Sequence, residues 1–188
     1  MKVLGLMGSP RMKGNTDLLL DEALKGAKTG GADVEKLVVD KLNIAPCKEY
    51  YGCLRDGNCV IRDDMDGIYQ KIMEAERIIA ASPIFFYSVS AQIKALIDRC
   101  QALWARKYVL QLKMSDAPKK GAFIAVGATR GEKLFEGSIM VVRYFFKAID
   151  AEYGGELLVR GVDQRGEIKE NPQALKDAYE LGKGLVEI

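Results

Sequence analysis

KVLGLMGSPRMKGNT, residues 2–16, places a short apolar run directly before a polar loop that contains two glycines. The run at 2–7 predicts a buried strand, because it is short, apolar and stops at Gly8. Beyond the loop, leucines and alanines recur at helical spacing until Gly30-Gly31, where a helix would end. A strand, a loop and a helix in this order are the opening of an alternating β/α chain.

The alternation continues along the rest of the sequence. Further strands are predicted at 34–39, 78–81, 121–126 and 156–159, and further helices at 64–75, 91–106, 135–149 and from Asn171-Pro172 onward. Residues 40–63 are an irregular insertion that contains cysteines, and 107–119 have no clear pattern. Five strands that alternate with helices predict an α/β three-layer sandwich with one parallel sheet, in a single domain over 1–188. The flavodoxin-like strand order 2-1-3-4-5 is one of the two common orders for such a sheet.

The bulk composition is typical of an ordinary globular protein. The 188 residues are 48% hydrophobic and 29% charged, and the net charge is +2 with no long basic run. No apolar stretch approaches the ~20 residues that span a bilayer, and the N-terminus lacks a signal-peptide pattern. We therefore expect a cytoplasmic protein with no nucleic-acid partner and no membrane partner.

The chain contains four cysteines and no histidine. In the cytoplasm the cysteines are expected to be reduced thiols or metal ligands rather than disulfides. The lack of histidine excludes histidine-based triads, imidazole general bases and histidine-ligated zinc. Chemistry must then come from carboxylates, thiols, hydroxyls, backbone dipoles or a cofactor.

The loop between the first strand and the first helix has the composition of an anion site. Hydroxyls, a guanidinium and a closely turning glycine lie next to a helix N-terminus, whose free N–H groups and dipole also favour negative charge. The residues expected at the anion are Ser9, Arg11, Lys13, Gly14, Asn15 and Thr16. The loop matches neither a Walker loop nor GxGxxG. The alternative is an ordinary strand–helix turn with an asparagine or threonine cap.

A second candidate loop follows the third strand and is expected at the same edge of the sheet. Its apolar side chains and backbone amides suit a planar aromatic ring, and the residues are Pro83, Ile84, Phe85, Phe86, Tyr87 and Ser88. The alternative is that the aromatic residues belong to the core or to an interface. The loop 127–131 offers Thr129 for a further contact and Arg130 for a 2′-phosphate of NADPH, with a plain turn as the alternative.

Three segments resemble the NADPH-dependent FMN reductase and iron-sulfur flavoprotein superfamily. GSPRMKGNT at 8–16 is similar to the FMN phosphate loop of that family. SPIFFYSVSAQIKALIDR at 82–99 is similar to its S-P-I-Y-x-x-x-x-x-A-x-x-K-x-x-x-D-R stretch, and Asp63-Asp64-Met65 matches its D-D-M. The resemblance covers residues 1 to about 100. It implies a flavodoxin-like fold and an FMN cofactor whose isoalloxazine ring lies against the loop at 83–88.

The cysteine segment 46–60 departs from the pattern of iron-sulfur flavoproteins, C-x2-C-x2-C-x5-C. Cys47, Cys53 and Cys59 match this pattern, but Tyr50 stands where the second cysteine belongs. Because four thiolates normally hold a cubane cluster, we predict that this segment binds no cluster and no other metal. One alternative is a cluster with a fourth ligand from outside the segment. The other is a set of redox-active thiols or an adventitious zinc site.

The resemblance implies an FMN-binding oxidoreductase that passes electrons from NAD(P)H through FMN to a quinone, a flavin or another small acceptor. No residue is assigned as catalytic, and Tyr87 is one candidate proton donor near the ring. The alternative is a flavodoxin-like electron-transfer protein, with or without a cluster, that serves a protein partner. A third class, a module that has lost FMN, is disfavoured by the intact loop at 9–16. The apolar stretch 103–110 is a candidate contact in a homodimer or homotetramer, with a buried helix extension as the alternative.

Overall fold

The computed structural model describes residues 1–115 and 117–187 and has a parallel sheet at its centre. The strands are β1 (Lys2–Met7), β2 (Asp33–Val38), β3 (Arg77–Pro83), β4 (Lys119–Gly127) and β5 (Ala151–Arg160). They lie in the order β2-β1-β3-β4-β5, and each neighbouring pair is parallel. The flavodoxin-like prediction is therefore confirmed. One edge of the sheet collects the carboxyl ends of all five strands.

Helices connect the strands on both faces of the sheet. The α-helices are α1 (Asn15–Thr29), α2 (Cys53–Asp56), α3 (Met65–Glu74), α4 (Ala91–Arg99), α5 (Gln101–Trp104), α6 (Glu136–Ala148) and α7 (Pro172–Val186). Short 3-10 turns lie at Val39–Lys41 and Glu167–Glu170, and a π-helical turn at Ala105–Val109. Within the described part of the chain, none of the helices combines the length and the apolar character needed to cross a membrane.

The sheet is apolar on both faces, which explains why both are covered. Successive side chains of a strand point to opposite faces. In β4, Phe123 and Ala125 belong to one buried cluster, whereas Ala122 and Ile124 belong to another. The first cluster includes residues of α3, α4 and α6, and the second includes residues of α1 and α7. The result is the three-layer arrangement expected from the sequence.

Two glycines bring α1 and α7 into direct backbone contact. A Cβ atom on Gly26 would clash with the carbonyl oxygen of Tyr179, and one on Gly182 would clash with that of Ala23. Only glycine therefore fits at these two crossing points. The contact holds α1 against the C-terminal part of the chain. The N-terminus of α1 adjoins the candidate anion loop, so the position of that loop depends on this packing.

Three elements differ from the sequence predictions. β5 begins at Ala151 rather than at 156, because its first half contains Gly154-Gly155 and a register shift opposite Gly121/Ala122, which interrupt the apolar pattern. The helix predicted at 91–106 is divided into α4 and α5 and ends in the π-helical turn. The insertion at 40–63 is not wholly irregular, since it contains α2 and a 3-10 turn.

Candidate cofactor site

One cavity at the carboxyl edge of the sheet joins the two loops that the sequence singles out. It is lined by Ser9, Arg11, Gly14, Asn15, Thr16, Pro83, Ile84, Phe85, Val126, Ala128, Val162, Asp163 and Arg165. These residues come from the carboxyl ends of β3 and β4 and from the segments that follow β1, β3, β4 and β5. Eight of the candidate residues therefore meet in one place, as the parallel topology requires.

The loop after β1 is built around a tight turn at Gly14. The Gly14 N–H donates to the Arg11 carbonyl oxygen (3.0 Å), and the Arg11 N–H donates to Ser9 Oγ (3.2 Å). A Cβ atom on Gly14 would lie 2.8 Å from that same Arg11 oxygen. Ser9 and Thr16 are buried at the base of the loop. The turn thus needs a residue without a side chain at Gly14.

The N-terminus of α1 opens without a side-chain cap. Its N-cap residue, Gly14, is extended and offers no side-chain acceptor. The first N–H groups of a helix have no partner within the helix, so this end is suited to an external anion. The acid of the first turn, Asp17, is buried, forms an ion pair with Lys36 and accepts the Lys13 N–H (2.7 Å). Its charge is therefore balanced within the protein.

A third segment, 161–168 after β5, closes the cavity and was missed by the sequence analysis. Arg165 donates to the Met12 carbonyl oxygen through Nε (3.1 Å) and Nη2 (2.6 Å). Asn15 Nδ2 donates to the Gln164 carbonyl oxygen (2.9 Å), and Asn15 Oδ1 accepts the Ile168 N–H (3.1 Å). The Asn15 side chain thus binds this segment, although the residue lines the cavity as expected. No motif marked 161–168, because the family resemblance ends near residue 100.

The loop after β3 forms a small aromatic hairpin. Phe85 and Ser88 exchange both backbone hydrogen bonds (3.0 and 3.1 Å), and the turn residues Phe86 and Tyr87 have φ values of 49° and 63°. Positive φ at both central positions is the pattern of a type I′ turn. Phe86 is fully exposed (102%), and Phe85 and Tyr87 are about half exposed. Large side chains in this backbone region cost energy, which marks the hairpin as a candidate functional feature.

The hairpin residues divide between the cavity and the outer surface. Pro83, Ile84 and Phe85 line the cavity, whereas Phe86, Tyr87 and Ser88 do not. Tyr87 packs instead over the start of α6, where a Cβ atom on Gly137 would lie 2.6 Å from the Tyr87 carbonyl oxygen. Lys13 and Thr129 also lie outside the cavity lining. Thr129 contributes its carbonyl oxygen to the Gly161 N–H (3.2 Å), so this loop supports the segment after β5.

Two serines connect the hairpin to the loop after β1. The Ser90 N–H donates to Ser82 Oγ (2.9 Å), and Ser90 Oγ donates to the Gly8 carbonyl oxygen. Both serines are completely buried. Ser90 also caps α4 by accepting the Ile93 N–H. These bonds fix the two loops relative to each other before any ligand binds.

The three cysteines of the segment 46–60 line two different surface cavities. Cys47 and Cys53 line one surface cavity with Asp98 and Gln101, and Cys59 lines another. Within the described residues, no group of three histidine, cysteine, aspartate or glutamate side chains is placed to hold a metal ion. Burial and the neighbouring thiols raise the pKa of Cys53, which keeps this thiol protonated at neutral pH.

A buried ion pair fastens both ends of the cysteine segment. Arg99 donates to both oxygens of Asp63 (2.6 and 3.2 Å) and to the carbonyl oxygens of Ala45 (2.8 Å) and Ile61 (3.1 Å). Asp63 also accepts backbone N–H groups from Ala45 and Met65 (3.0 Å each). Burial alone would raise the pKa of Asp63, but Arg99 and the two N–H donors hold it below its ordinary value. Asp63 of the D-D-M motif and Arg99 of the stretch 82–99 thus have a structural role, because they hold the two ends of the cysteine segment.

A family model described as NADPH-dependent FMN reductase matches residues 1–144. The chain belongs to the NADPH-dependent FMN reductase family. An iron-sulfur flavoprotein of Methanocaldococcus jannaschii is 36% identical over an alignment that covers 100% of this chain and 97% of the relative. A Bacillus subtilis protein named as a candidate NAD(P)H-dependent FMN-containing oxidoreductase is 27% identical, with 97% of each chain covered.

Solved structures agree with this fold. A flavone reductase superposes with a TM-score of 0.74 at 20% identity, over 99% of this chain and 62% of that chain. The expected resemblance is therefore confirmed, and the family makes the chain an FMN-dependent oxidoreductase. The family model extends beyond residue 100, where the motifs quoted from the sequence end.

Proposed function

We propose that the cavity binds FMN, with the phosphate at the N-terminus of α1 and the isoalloxazine ring against the aromatic hairpin. The observation that carries this proposal is that five residues of the loop at 9–16 line the same cavity as three residues at 83–85. They are Ser9, Arg11, Gly14, Asn15, Thr16, Pro83, Ile84 and Phe85. An anion site alone would suit many ligands. An anion site beside an apolar, aromatic wall suits a ligand with a phosphate tail and a planar ring.

The phosphate end of the cavity fits FMN in three respects. The first turn of α1 lacks a side-chain cap, Gly14 allows the loop to turn tightly at the start of the helix, and Arg11 lines the wall. The buried hydroxyl-bearing residues Ser9 and Thr16 lie at the same end. Backbone N–H groups, hydroxyls and a guanidinium are the donors that phosphate oxygens prefer in proteins.

The ring end of the cavity is apolar and firmly positioned. Ile84 and Phe85 supply the wall, with Val126 and Ala128 from the next strand end. The Ile84 N–H donates to the Val126 carbonyl oxygen (2.8 Å), which fixes the hairpin on the sheet. Such a wall excludes water from one face of a bound ring and holds the ring in a fixed orientation.

Bound FMN would accept reducing equivalents from NAD(P)H and release them to a second substrate. The residues of this chain would bind and orient the cofactor rather than move protons. Asp163 is the one acidic residue that lines the described cavity, and the Tyr87 side chain lies outside the lining. We propose a small acceptor, such as a quinone or a flavin, that reaches the open side of the cavity.

The test uses the full-length protein as purified. We expect a yellow protein whose released cofactor is FMN, and whose visible flavin absorption is lost when NADPH or NADH is added without oxygen. A colourless protein that takes up no added FMN would contradict the proposal. A flavin that stays oxidised with both nucleotides would point to an electron carrier that is reduced by a protein partner.

We further propose that the chain works without an iron-sulfur cluster, although several relatives are named iron-sulfur flavoproteins. The support is the tyrosine at position 50, which leaves three thiols in a segment where four normally hold a cubane cluster. Iron and acid-labile sulfide are measured on protein purified without oxygen. We expect neither in stoichiometric amount, and about four irons per chain, as in a cubane cluster, would contradict the proposal.

A further inference from the structure

Two arginines from distant parts of the chain connect the two segments that border the cavity, and each hydrogen-bonds to the backbone of the other segment. Arg11, in the loop after β1, donates to the Asp163 carbonyl oxygen (3.4 Å). Arg165, in the segment after β5, donates twice to the Met12 carbonyl oxygen. Each arginine thus holds the backbone of the other segment, and both line the cavity.

Arg165 has further N–H donors besides those that hydrogen-bond to the Met12 carbonyl oxygen. A guanidinium has five N–H donors, and two of the Arg165 groups contact the Met12 oxygen. Its planar fork matches the oxygens of a phosphate. Met12 lies directly in the loop that surrounds the N-terminus of α1, so the fork is held beside the uncapped helix end.

The net charge of the residues that line the cavity depends on Arg165. Among the described lining residues, Arg11 and Arg165 are cationic and Asp163 is anionic, which leaves a net charge of +1. A phosphate monoester carries a charge of about −1.5 to −2 at pH 7. Without Arg165 the lining would be neutral, because Arg11 and Asp163 would cancel. The Arg11 guanidinium and the helix dipole would then be the positive groups left to face the phosphate, with Asp163 opposing them.

We propose that Arg165 is a second phosphate-binding guanidinium, through which this chain selects the phosphorylated flavin, FMN, over riboflavin. The inference rests on the proposed function, since it assumes that the cavity holds a flavin. It assigns cofactor selection to a segment that follows β5 and lies outside the 1–144 region matched by the family model.

The test titrates the flavin-free full chain with FMN and with riboflavin and follows the flavin fluorescence. Arg165→Gln removes the charge and the fork. It should raise the Kd for FMN about 10- to 100-fold, the loss of a charge-assisted hydrogen bond, and change the Kd for riboflavin less than about threefold. Lys169→Gln is the matched control, because Lys169 is an exposed cation of the neighbouring 3-10 turn outside the cavity. It should leave both constants unchanged.

Riboflavin binding reports whether the ring end of the cavity is intact in each variant. Equal weakening of FMN and riboflavin by Arg165→Gln would mean that Arg165 supports the cavity as a whole and does not bind the phosphate, and would overturn the proposal. An unchanged Kd for FMN would overturn it as well. Arg165→Lys, which keeps the charge without the fork, should fall between the wild type and Arg165→Gln. A wild-type chain that binds neither flavin would instead contradict the proposed function.

Discussion

Gly14 is the residue on which the geometry of the phosphate end depends most directly. A Cβ atom there would lie 2.8 Å from the Arg11 carbonyl oxygen and 3.0 Å from the Arg11 Cβ, and the turn could not keep its 3.0 Å hydrogen bond. We expect Gly14→Ala to displace the loop at a cost of about 1–3 kcal/mol and to weaken FMN binding about tenfold or more. Equilibrium titration with FMN measures the effect.

Gly67→Ala is the matched control for this variant. Gly67 lies within α3, and a Cβ atom there meets no neighbour within 4 Å. Because alanine favours a helix over glycine, this change should raise the free energy of unfolding by up to about 1 kcal/mol and leave FMN binding unchanged. Equal FMN affinities in both variants would show that the turn at Gly14 does not shape the phosphate site.

The buried pair of Asp63 and Arg99 makes a separate prediction about stability. Arg99 is completely buried and Asp63 is 4% exposed, so removing one charge leaves the other uncompensated. Asp63→Asn should lower the free energy of unfolding by about 3–5 kcal/mol in urea. Lys94→Gln, which breaks the exposed Lys94–Asp98 pair, should change it by less than about 1 kcal/mol. A small effect of Asp63→Asn would mean that the cysteine segment is held by other contacts.

The ion pair of Asp63 and Arg99 also determines how the free energy of unfolding changes with pH. The pKa of Asp63 is lower in the folded protein than its ordinary value of 3.8. The folded state therefore binds this proton less readily than the unfolded state, and the stabilisation is present above pH 3.8. It is lost as the pH falls through the lower folded value. The difference in unfolding free energy between wild type and Asp63→Asn should accordingly shrink only in strong acid.

At the scale of elements, the backbone of the aromatic hairpin is unfavourable for folding. Phe86 is fully exposed and has a positive φ, a region that asparagine tolerates far better than phenylalanine. We expect Phe86→Asn to raise the free energy of unfolding by up to about 1 kcal/mol. Chemical denaturation measures this. A destabilised variant would contradict this prediction and would show that the Phe86 side chain stabilises the folded protein.

Elements with a clear apolar period were predictable, and elements shaped by local exceptions were not. β1 and α7 follow from a short apolar run and from an asparagine cap followed by proline. The start of β5 was predicted five residues too late, since Gly154 and Gly155 indicate a break rather than part of a strand. The π-helical turn at Ala105–Val109 has no sequence signal, because it arises from packing rather than from propensity.

For the whole molecule, the sequence located the two loops of the cavity but not the segment that closes it. The loops after β1 and β3 carry glycine, proline and aromatic signals next to predictable strands. Arg165 and Asp163 lie in an ordinary polar stretch, and their role arises only when α7 packs on α1 and brings 161–168 over the first loop. Tertiary contacts of this kind leave no periodic pattern in one sequence.

We propose that the molecule forms a homodimer through the surface of α5, the π-helical turn and α6. Trp104, Tyr108 and Tyr144 are 37–63% exposed there, and Trp104 and Tyr144 line one groove. Sedimentation at micromolar protein should find a dimer, and the double change Trp104→Glu, Tyr144→Glu should give a monomer. Tyr50→Glu, at an exposed tyrosine of the cysteine segment, is the control and should remain dimeric. A monomeric wild type would contradict this proposal.

The placement of FMN is tested most directly by a crystal structure of the full chain grown with FMN. We expect the phosphate within hydrogen-bond distance of the N–H groups at the start of α1 and of Arg11, with the ring against Ile84 and Phe85. FMN bound elsewhere on the molecule, or bound with its phosphate away from the N-terminus of α1, would contradict it.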